Sequence, residues 1–345
     1  MKKTYYSVLI STFKNKKLWD YYSSGYDFGK ELPVISIELS ADFLRKFIKT
    51  SGKAEQELFF QIDKIKERAN HIVSTFLLGH YMYINTNLKE YIDTEIEKNN
   101  KLFGTKKCRI EFSYLWFLVC LFHDLGYCIE NENSPRYENI DSLFLDSKQL
   151  DYVLGVPVLY EKVYKNYYKY IFEEQCKNEH GIVAAHLLYN SLCQIREYAE
   201  HDKLSNLYWG IELEHLYNFC SWNILAHNIW FVNESNHCLV KSYEKNNLNE
   251  LIKKDGEYKI SFKEHPFFFL LCLVDTIEPY KKVKELSKLK QISINIIGKE
   301  KIEISSKLKC GCHNTIIDQV KSLDNWLIKV EKDILTDSIT IDLSL

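Results

Sequence analysis

The sequence is poor in residues that interrupt helices, and it has no long apolar run without charge. Only five of its 345 residues are proline, and proline removes a backbone donor and breaks a helix interior. This scarcity favours a helical protein. No stretch of about 20 uncharged apolar residues occurs, which is the length that a membrane-spanning helix needs. The sequence therefore predicts no membrane span.

The chain also lacks an excess of either charge. Its formal net charge is -2 at pH 7, whereas proteins that bind duplex nucleic acid usually carry a basic excess. Binding of nucleic acid through a local patch stays open. The N-terminal sequence MKKTYYSVLISTFKNKK lacks the longer apolar region and the cleavage site of a signal peptide. Frequent Lys, Asn, Ile and Tyr residues are typical of low-GC bacterial coding.

Ten cysteines are scattered through a chain that is too long to depend on disulfides for its stability. An apolar content of 46% is enough for a sizeable core. We therefore expect a cytoplasmic protein with reduced, buried thiols, at positions such as Cys108, Cys120, Cys128, Cys176, Cys193, Cys220 and Cys272.

Helical patterns fill most of the chain, and the predicted fold is mainly α. A short extended segment, VISIEL, precedes a helix with Ser40 as its predicted N-cap. A polar insertion without clear periodicity occupies 129–150. Apolar spacing predicts further helices over 55–84, 85–103, 160–172, 206–231 and 266–288.

The character changes past residue 290. ISINIIGKEKIEIS alternates apolar and polar residues around a Gly-Lys turn and predicts a hairpin. IIDQVKSLDNWLIKV predicts an amphipathic helix, and SITIDLSL a final strand. We divide the chain into an N-terminal extension (1–55), a helical domain (56–288) and a small α/β appendage (289–345). The appendage carries no evident chemistry. Its cluster Cys310-Gly311-Cys312-His313 is not expected to form a zinc finger, because no second pair of cysteine or histidine residues lies at the required spacing.

One stretch points to chemistry. The apolar run Tyr114–Phe122 ends on His123 and Asp124. A run this uniform predicts a helix without a solvent face, so its last turn places both side chains in the interior. A buried carboxylate without a cation is costly, and a divalent metal ion is a suitable partner for adjacent imidazole and carboxylate groups.

Four other helical segments each contain a residue that could bind a metal ion in an apolar setting: His71, His180, His227 and Asp275. A single histidine on an apolar face is more often a hydrogen-bonded core residue. Asp275 is the strongest of the four, because it follows the apolar run Phe267–Val274 and burial beside a cation explains its position better than a helix end in solvent.

The order of these residues resembles the HD-domain superfamily of metal-dependent phosphohydrolases over residues 60 to 285. The matching segments are Arg68-Ala69-Asn70-His71, His123-Asp124-Leu125-Gly126, His180-Gly181, His227-Asn228 and Val274-Asp275. The resemblance implies an HD-type helical bundle as the fold of the central domain. The Gly-Tyr-Pro signature of the cyclic-dinucleotide phosphodiesterases is absent.

The resemblance also implies roles for the residues. His71, His123, Asp124 and Asp275 would hold one metal ion, and His180 with His227 would hold a second. Asp124 would bridge the two ions and, with His123, act in catalysis. His80 lies nine residues from His71 and so on the opposite helix face; Arg68, one turn before His71, favours His71. His186 is expected to be a supporting or core residue.

The expected function is hydrolysis of a phosphomonoester or phosphodiester by a metal-activated water, with a nucleotide or cyclic nucleotide as substrate. The mixture of histidine and carboxylate ligands suits manganese, iron, zinc or magnesium, and the sequence does not rank these metals. Two alternatives stay open: a nuclease in a multi-protein system such as antiviral defence, and a nucleotide sensor without catalysis. The sequence also leaves open whether the chain forms a homo-oligomer.

Overall fold

The computed structural model describes residues 3–20, 27–50, 63, 66–103, 111–128, 130, 157–201, 213–281, 285–306, 320, 322–324, 326–333 and 338–344. The predicted polar insertion at 129–150, apart from Glu130, and the Cys310–His313 cluster lie outside these residues.

Helices dominate the described chain, which confirms the prediction of a mainly α fold. The helix predicted over 266–288 is shorter than expected: it ends at Ile277 because Pro279 disfavours helical backbone at Glu278. The helices are α1 (Tyr5–Lys14), α2 (Ile37–Thr50), α3 (Ala69–Asn85), α4 (Leu88–Phe103), α5 (Phe112–Phe122), α6 (Val158–Gln175), α7 (His180–His201), α8 (Leu213–Ala226), α9 (His237–Lys245), α10 (Pro266–Ile277) and α11 (Leu286–Leu289).

A five-stranded antiparallel sheet has the strand order β1-β4-β5-β7-β6. The hairpin and the final strand are confirmed, whereas the sequence did not predict the strand at the N-terminus. A separate parallel pair joins β2 to β3. The strands are β1 (Lys3–Thr4), β2 (Val232–Asn233), β3 (Ile252–Lys253), β4 (Ile292–Ile297), β5 (Lys301–Ser306), β6 (Lys329–Asp333) and β7 (Ser338–Asp342).

Three local predictions are wrong. The segment VISIEL is not extended, because Val34 and Ile35 lie in a 3-10 helix (Pro33–Ile35) and α2 follows it. Helix α2 begins at Ile37, and Ser36 accepts a hydrogen bond from the Leu39 N–H through its hydroxyl. Ser40 lies inside the helix and donates to the Pro33 carbonyl instead of capping. The helix predicted to end at Val330 lies partly outside the described residues, and its end is a strand, because Val330 pairs with β7.

The prediction about the cysteines is correct in part. The cysteines in the described segments are free thiols, and Cys120, Cys220 and Cys272 are buried. Cys128 and Cys176 are exposed, contrary to expectation. Both lie at the end of an element: Cys128 is the last residue of a 3-10 helix (Leu125–Cys128), and Cys176 is the left-handed C-cap of α6. Cys108 lies outside the described residues, and Cys193 is half-buried.

Helix α3 lies at the centre of the core, packed against α1, α2, α5 and α10. Every residue of α5 is buried, as the uniform apolar run predicted. Gly79 lets α3 and α5 approach closely, because a Cβ at this position would lie 2.2 Å from the Trp116 ring. This contact holds the helix that carries His71 against the helix that ends before His123.

One continuous buried core extends from Tyr5 in α1 to Leu343 after β7. Helix α1 packs on α3, and β1 extends the sheet formed by the last strands. The division of the chain at residues 55 and 288 remains a prediction. None of the helices in the described ranges combines the length and the apolar character that crossing a membrane requires.

Glu95, a buried residue of α4, should make the stability of the protein depend on pH. The Glu95 carboxylate accepts a hydrogen bond from the Phe267 N–H in the first turn of α10, at 3.0 Å. Burial raises the pKa of Glu95 from about 4.5 to about 8. Between these values the native state holds a proton that the unfolded chain has released, so stability is lost as pH rises towards 8.

Replacing Glu95 by Gln should remove this dependence. The free energy of unfolding of the wild type should fall relative to that of the variant by up to about 1.4 kcal/mol per pH unit between pH 5 and 8. Urea denaturation at several pH values measures the difference. Parallel pH profiles for the two proteins would show that Glu95 does not titrate in this range.

Candidate metal centre

Four of the predicted metal ligands lie together in the interior. His71 belongs to α3, His123 and Asp124 follow α5 directly, and Asp275 belongs to α10. One donor atom of each residue lies within 4.8 Å of the donor atoms of the other three. His71, His123 and Asp124 are buried, and Asp275 is partly exposed. We call these four residues the metal cluster.

The distances within the metal cluster suit a shared ion. His71 Nε2 lies 3.2 Å from Asp275 Oδ1, 3.3 Å from Asp124 Oδ2 and 3.2 Å from His123 Nε2. His123 Nε2 lies 3.3 Å from Asp275 Oδ1. Ligand atoms about 2.1 Å from one ion are about 3.0–3.4 Å apart when they are neighbours in octahedral or tetrahedral geometry. The cluster could therefore hold a metal ion.

The hydrogen bonds behind the two imidazoles orient their lone pairs. His71 Nδ1 lies 2.6 Å from Glu278 Oε2, and His123 Nδ1 lies 2.9 Å from the Cys120 carbonyl. A carboxylate and a carbonyl can only accept, so each Nδ1 donates, and in a neutral ring Nε2 then presents a lone pair. Two lone pairs and two carboxylates thus face one another. A cation among them compensates this repulsion.

His227 repeats the local geometry of His123. Each follows the end of an apolar helix, and His227 Nδ1 lies 2.5 Å from the Ile224 carbonyl, three residues earlier. The His227 ring centroid is 5.8 Å from that of His123 and 5.4 Å from that of His180. His180 and His227, the predicted ligands of a second ion, therefore lie beside the metal cluster and are not part of it.

His180 is held by close backbone packing. A Cβ on Gly126 would lie 2.0 Å from the His180 carbonyl oxygen, so only glycine allows this approach. Glu179 precedes α7 and accepts from the Gly181 and Ile182 N–H groups and from Asn228 Nδ2. Burial raises the pKa of Glu179 to about 7, against these hydrogen bonds, which lower it.

A stack of three side chains leads from the metal cluster to His180. Arg68 Nη1 lies 3.0 Å from Asp124 Oδ2, and the Arg68 guanidinium lies 3.6 Å from the centre of the Tyr127 ring. Tyr127 also stacks on His180, with the ring centroids 4.0 Å apart. Arg68 thus compensates part of the buried negative charge and fixes Tyr127 through a cation–π contact.

His80 in α3 and His186 in α7 lie outside the metal cluster. His80 Nδ1 bonds the Phe76 carbonyl, and its Nε2 bonds the Ser113 hydroxyl. Burial lowers the pKa of His80 to about 4. His186 is buried, which lowers its pKa to about 3. Both are buried, as expected for His80 on the helix face opposite His71 and for His186 as a supporting or core residue.

A cavity of about 210 Å³ adjoins the metal cluster at Asp275. Trp230 donates to Asn228 Oδ1 and stacks on Trp326 at 4.1 Å. The C-terminal segment therefore contributes to the wall of the site, although the sequence pattern predicted no chemistry for it. The cavity is lined by Tyr127, His180, Asn228, Trp230, Asp275, Thr276 and Ser322.

Sequence reasoning assigned no role to Glu278, Asn228, Trp230 or Ser322. Glu278 carries a recognisable signal: it lies three residues after Asp275 and directly before the proline that ends the helix. A second carboxylate at this spacing falls on the same side of the helix end. Ser322 carries no such signal, because its position depends on tertiary packing.

Comparison of the chain with protein-family models, with curated proteins and with solved structures finds no match. The account of the site rests on its residues and their geometry.

The close approach at Gly126 generates a prediction. Replacing Gly126 by Ala should lower the free energy of unfolding by about 1–3 kcal/mol, because the Cβ overlaps a backbone atom that cannot rotate away. The control is Gly181→Ala, whose Cβ would lie 3.0 Å from the His227 side chain and should cost less. Urea denaturation compares the two. Equal stability of wild type and Gly126→Ala would contradict the packing.

Proposed function

We propose that this chain is a metal-dependent phosphohydrolase of the HD type. Its substrate is a phosphomonoester or phosphodiester of a nucleotide or cyclic nucleotide. The observation that supports this proposal is the buried convergence of His71, His123, Asp124 and Asp275, with donor atoms within 4.8 Å of one another. Their order along the chain is the one on which the resemblance to the HD-domain superfamily rests.

In this proposal His71, His123, Asp124 and Asp275 hold one divalent ion, and His180 with His227 takes part in holding a second. A bound divalent ion lowers the pKa of a coordinated water and compensates charge on phosphate oxygens. Asp124 serves as the ligand between the two positions. Its buried carboxylate is held by Arg68, whose side chain is 30% exposed.

The cavity suits a phosphate ester that reaches the metal cluster. Asp275 belongs to both, so a substrate in the cavity lies directly against a ligand of the cluster. Tyr127 and Trp230 provide aromatic surfaces, and Asn228, Thr276 and Ser322 provide polar groups. Aromatic surface with a few polar groups is the usual composition of a site for a planar, polar ligand. This composition supports a nucleotide.

Replacing Asp124 by Ala tests the proposal. The variant should fold, lose its hydrolysis and contain less metal, because it lacks the carboxylate central to the cluster. Asp93→Ala is the control, since Asp93 pairs with Lys89 in α4 and lies outside the cluster. The assays are metal analysis and hydrolysis of a chromogenic phosphodiester, a chromogenic phosphomonoester and single-stranded DNA, each with Mn²⁺ or Zn²⁺.

Turnover by Asp124→Ala equal to that of the wild type would contradict the mechanism. Preference of the wild type for single-stranded DNA would favour the nuclease. A wild type that binds nucleotides without metal and hydrolyses none of the three substrates would favour the sensor. A chromogenic ester hydrolysed only with metal, and not by Asp124→Ala, supports the phosphohydrolase.

A further inference from the structure

Glu278 lies behind His71, on the side away from the metal cluster. Its carboxylate is buried, and Oε2 lies 2.6 Å from His71 Nδ1. On the other side of the same ring, His71 Nε2 lies 3.2 Å from Asp275 Oδ1. Asp275 and Glu278 both lie at the C-terminal end of α10, so this helix end contacts both nitrogens of the His71 ring.

The second oxygen of Glu278 is fixed by three donors. Oε1 lies 2.7 Å from the Ser74 hydroxyl, 3.0 Å from the Tyr5 hydroxyl and 2.9 Å from the Tyr280 N–H. The Tyr5 and Ser74 hydroxyls also contact each other. These donors belong to α1, to α3 and to the turn after α10. The carboxylate therefore has one favoured orientation, with Oε2 directed at His71.

Tyr5 connects the N-terminal helix to this network. It is fully buried, and burial together with the Glu278 carboxylate raises the pKa of Tyr5 well above its usual value. The phenol thus stays protonated and can donate at neutral pH. Its backbone is held in place as well, because α1 packs on α3 and the adjoining β1 pairs with β4.

We propose that Glu278 is a positioning residue for His71 and that Tyr5 and Ser74 hold Glu278 in place, so that the N-terminal helix supports the metal cluster. The proposal rests on the metal-dependent function proposed above. A carboxylate behind a ligating imidazole fixes its tautomer and orientation and makes Nε2 a stronger ligand. Loss of such a partner typically weakens metal binding by about 10- to 100-fold.

The test measures zinc affinity by competition with a chromogenic chelator at pH 7. Glu278→Gln should weaken binding by about 10- to 100-fold. Glu278→Ala should weaken it at least as much, and Tyr5→Phe less. The matched controls are Glu95→Gln, a buried α4 residue that accepts from the Phe267 N–H at the start of α10, and Tyr160→Phe, a buried tyrosine that donates to the Ile229 carbonyl. Both controls should bind zinc as the wild type does.

A second readout needs no metal. Nitrogen-15 NMR of the metal-free protein, with the signal assigned through His71→Ala, reports which nitrogen of His71 carries the proton. The wild type should show the Nδ1–H tautomer. Glu278→Gln should show a smaller population of it, because the amide can donate to Nδ1 as well as accept from it.

The outcomes separate the two proposals. Zinc affinity and tautomer unchanged in Glu278→Gln would overturn the positioning role and leave the proposed function intact. A wild type that binds neither Zn²⁺ nor Mn²⁺ would overturn the proposed function, while the tautomer would still test the Glu278–His71 contact. Tyr5→Phe with wild-type affinity would overturn the role of the N-terminal helix. Weaker zinc binding by the two Glu278 variants and by Tyr5→Phe, with both controls unaffected, supports the proposal.

Discussion

The site depends on four hydrogen-bond acceptors that the fold brings together in its interior. In their neutral form, the rings of His71 and His123 direct lone pairs towards the carboxylates of Asp124 and Asp275, because each Nδ1 already donates elsewhere. Such a group repels itself unless a cation lies within it. Arg68 contacts one of the carboxylates and so compensates only part of this charge.

Helix ends deliver the polar groups to this point. Helix α5 is buried along its whole length, so the residues that follow it, His123 and Asp124, enter the core. His227 follows α8 in the same way, and Asp275 with Glu278 lies at the end of α10. The first helix and the C-terminal segment complete the enclosure: Tyr5 contacts Glu278, and Ser322 forms part of the cavity wall.

The sequence predicted the metal cluster better than its surroundings, for a physical reason. Apolar runs that end on His123-Asp124 and on Asp275 can be recognised locally. Helical periodicity places His71 and His80 on opposite faces, and Arg68 favours His71. The contacts of Glu278 could not be predicted, because Tyr5 and Ser74 lie 273 and 204 residues away along the chain. The sequence did not predict where α2 begins, because Ser36 and Ser40 are equally suitable as N-cap residues.

The most direct test of the central claim is to locate a metal ion by anomalous diffraction. Crystals soaked with Mn²⁺ and measured near the manganese absorption edge should show an anomalous peak among His71 Nε2, His123 Nε2 and the carboxylates of Asp124 and Asp275. A second peak beside His180 and His227 would extend the centre to two ions. Peaks only at other positions, or no peak within the cluster, would contradict the account.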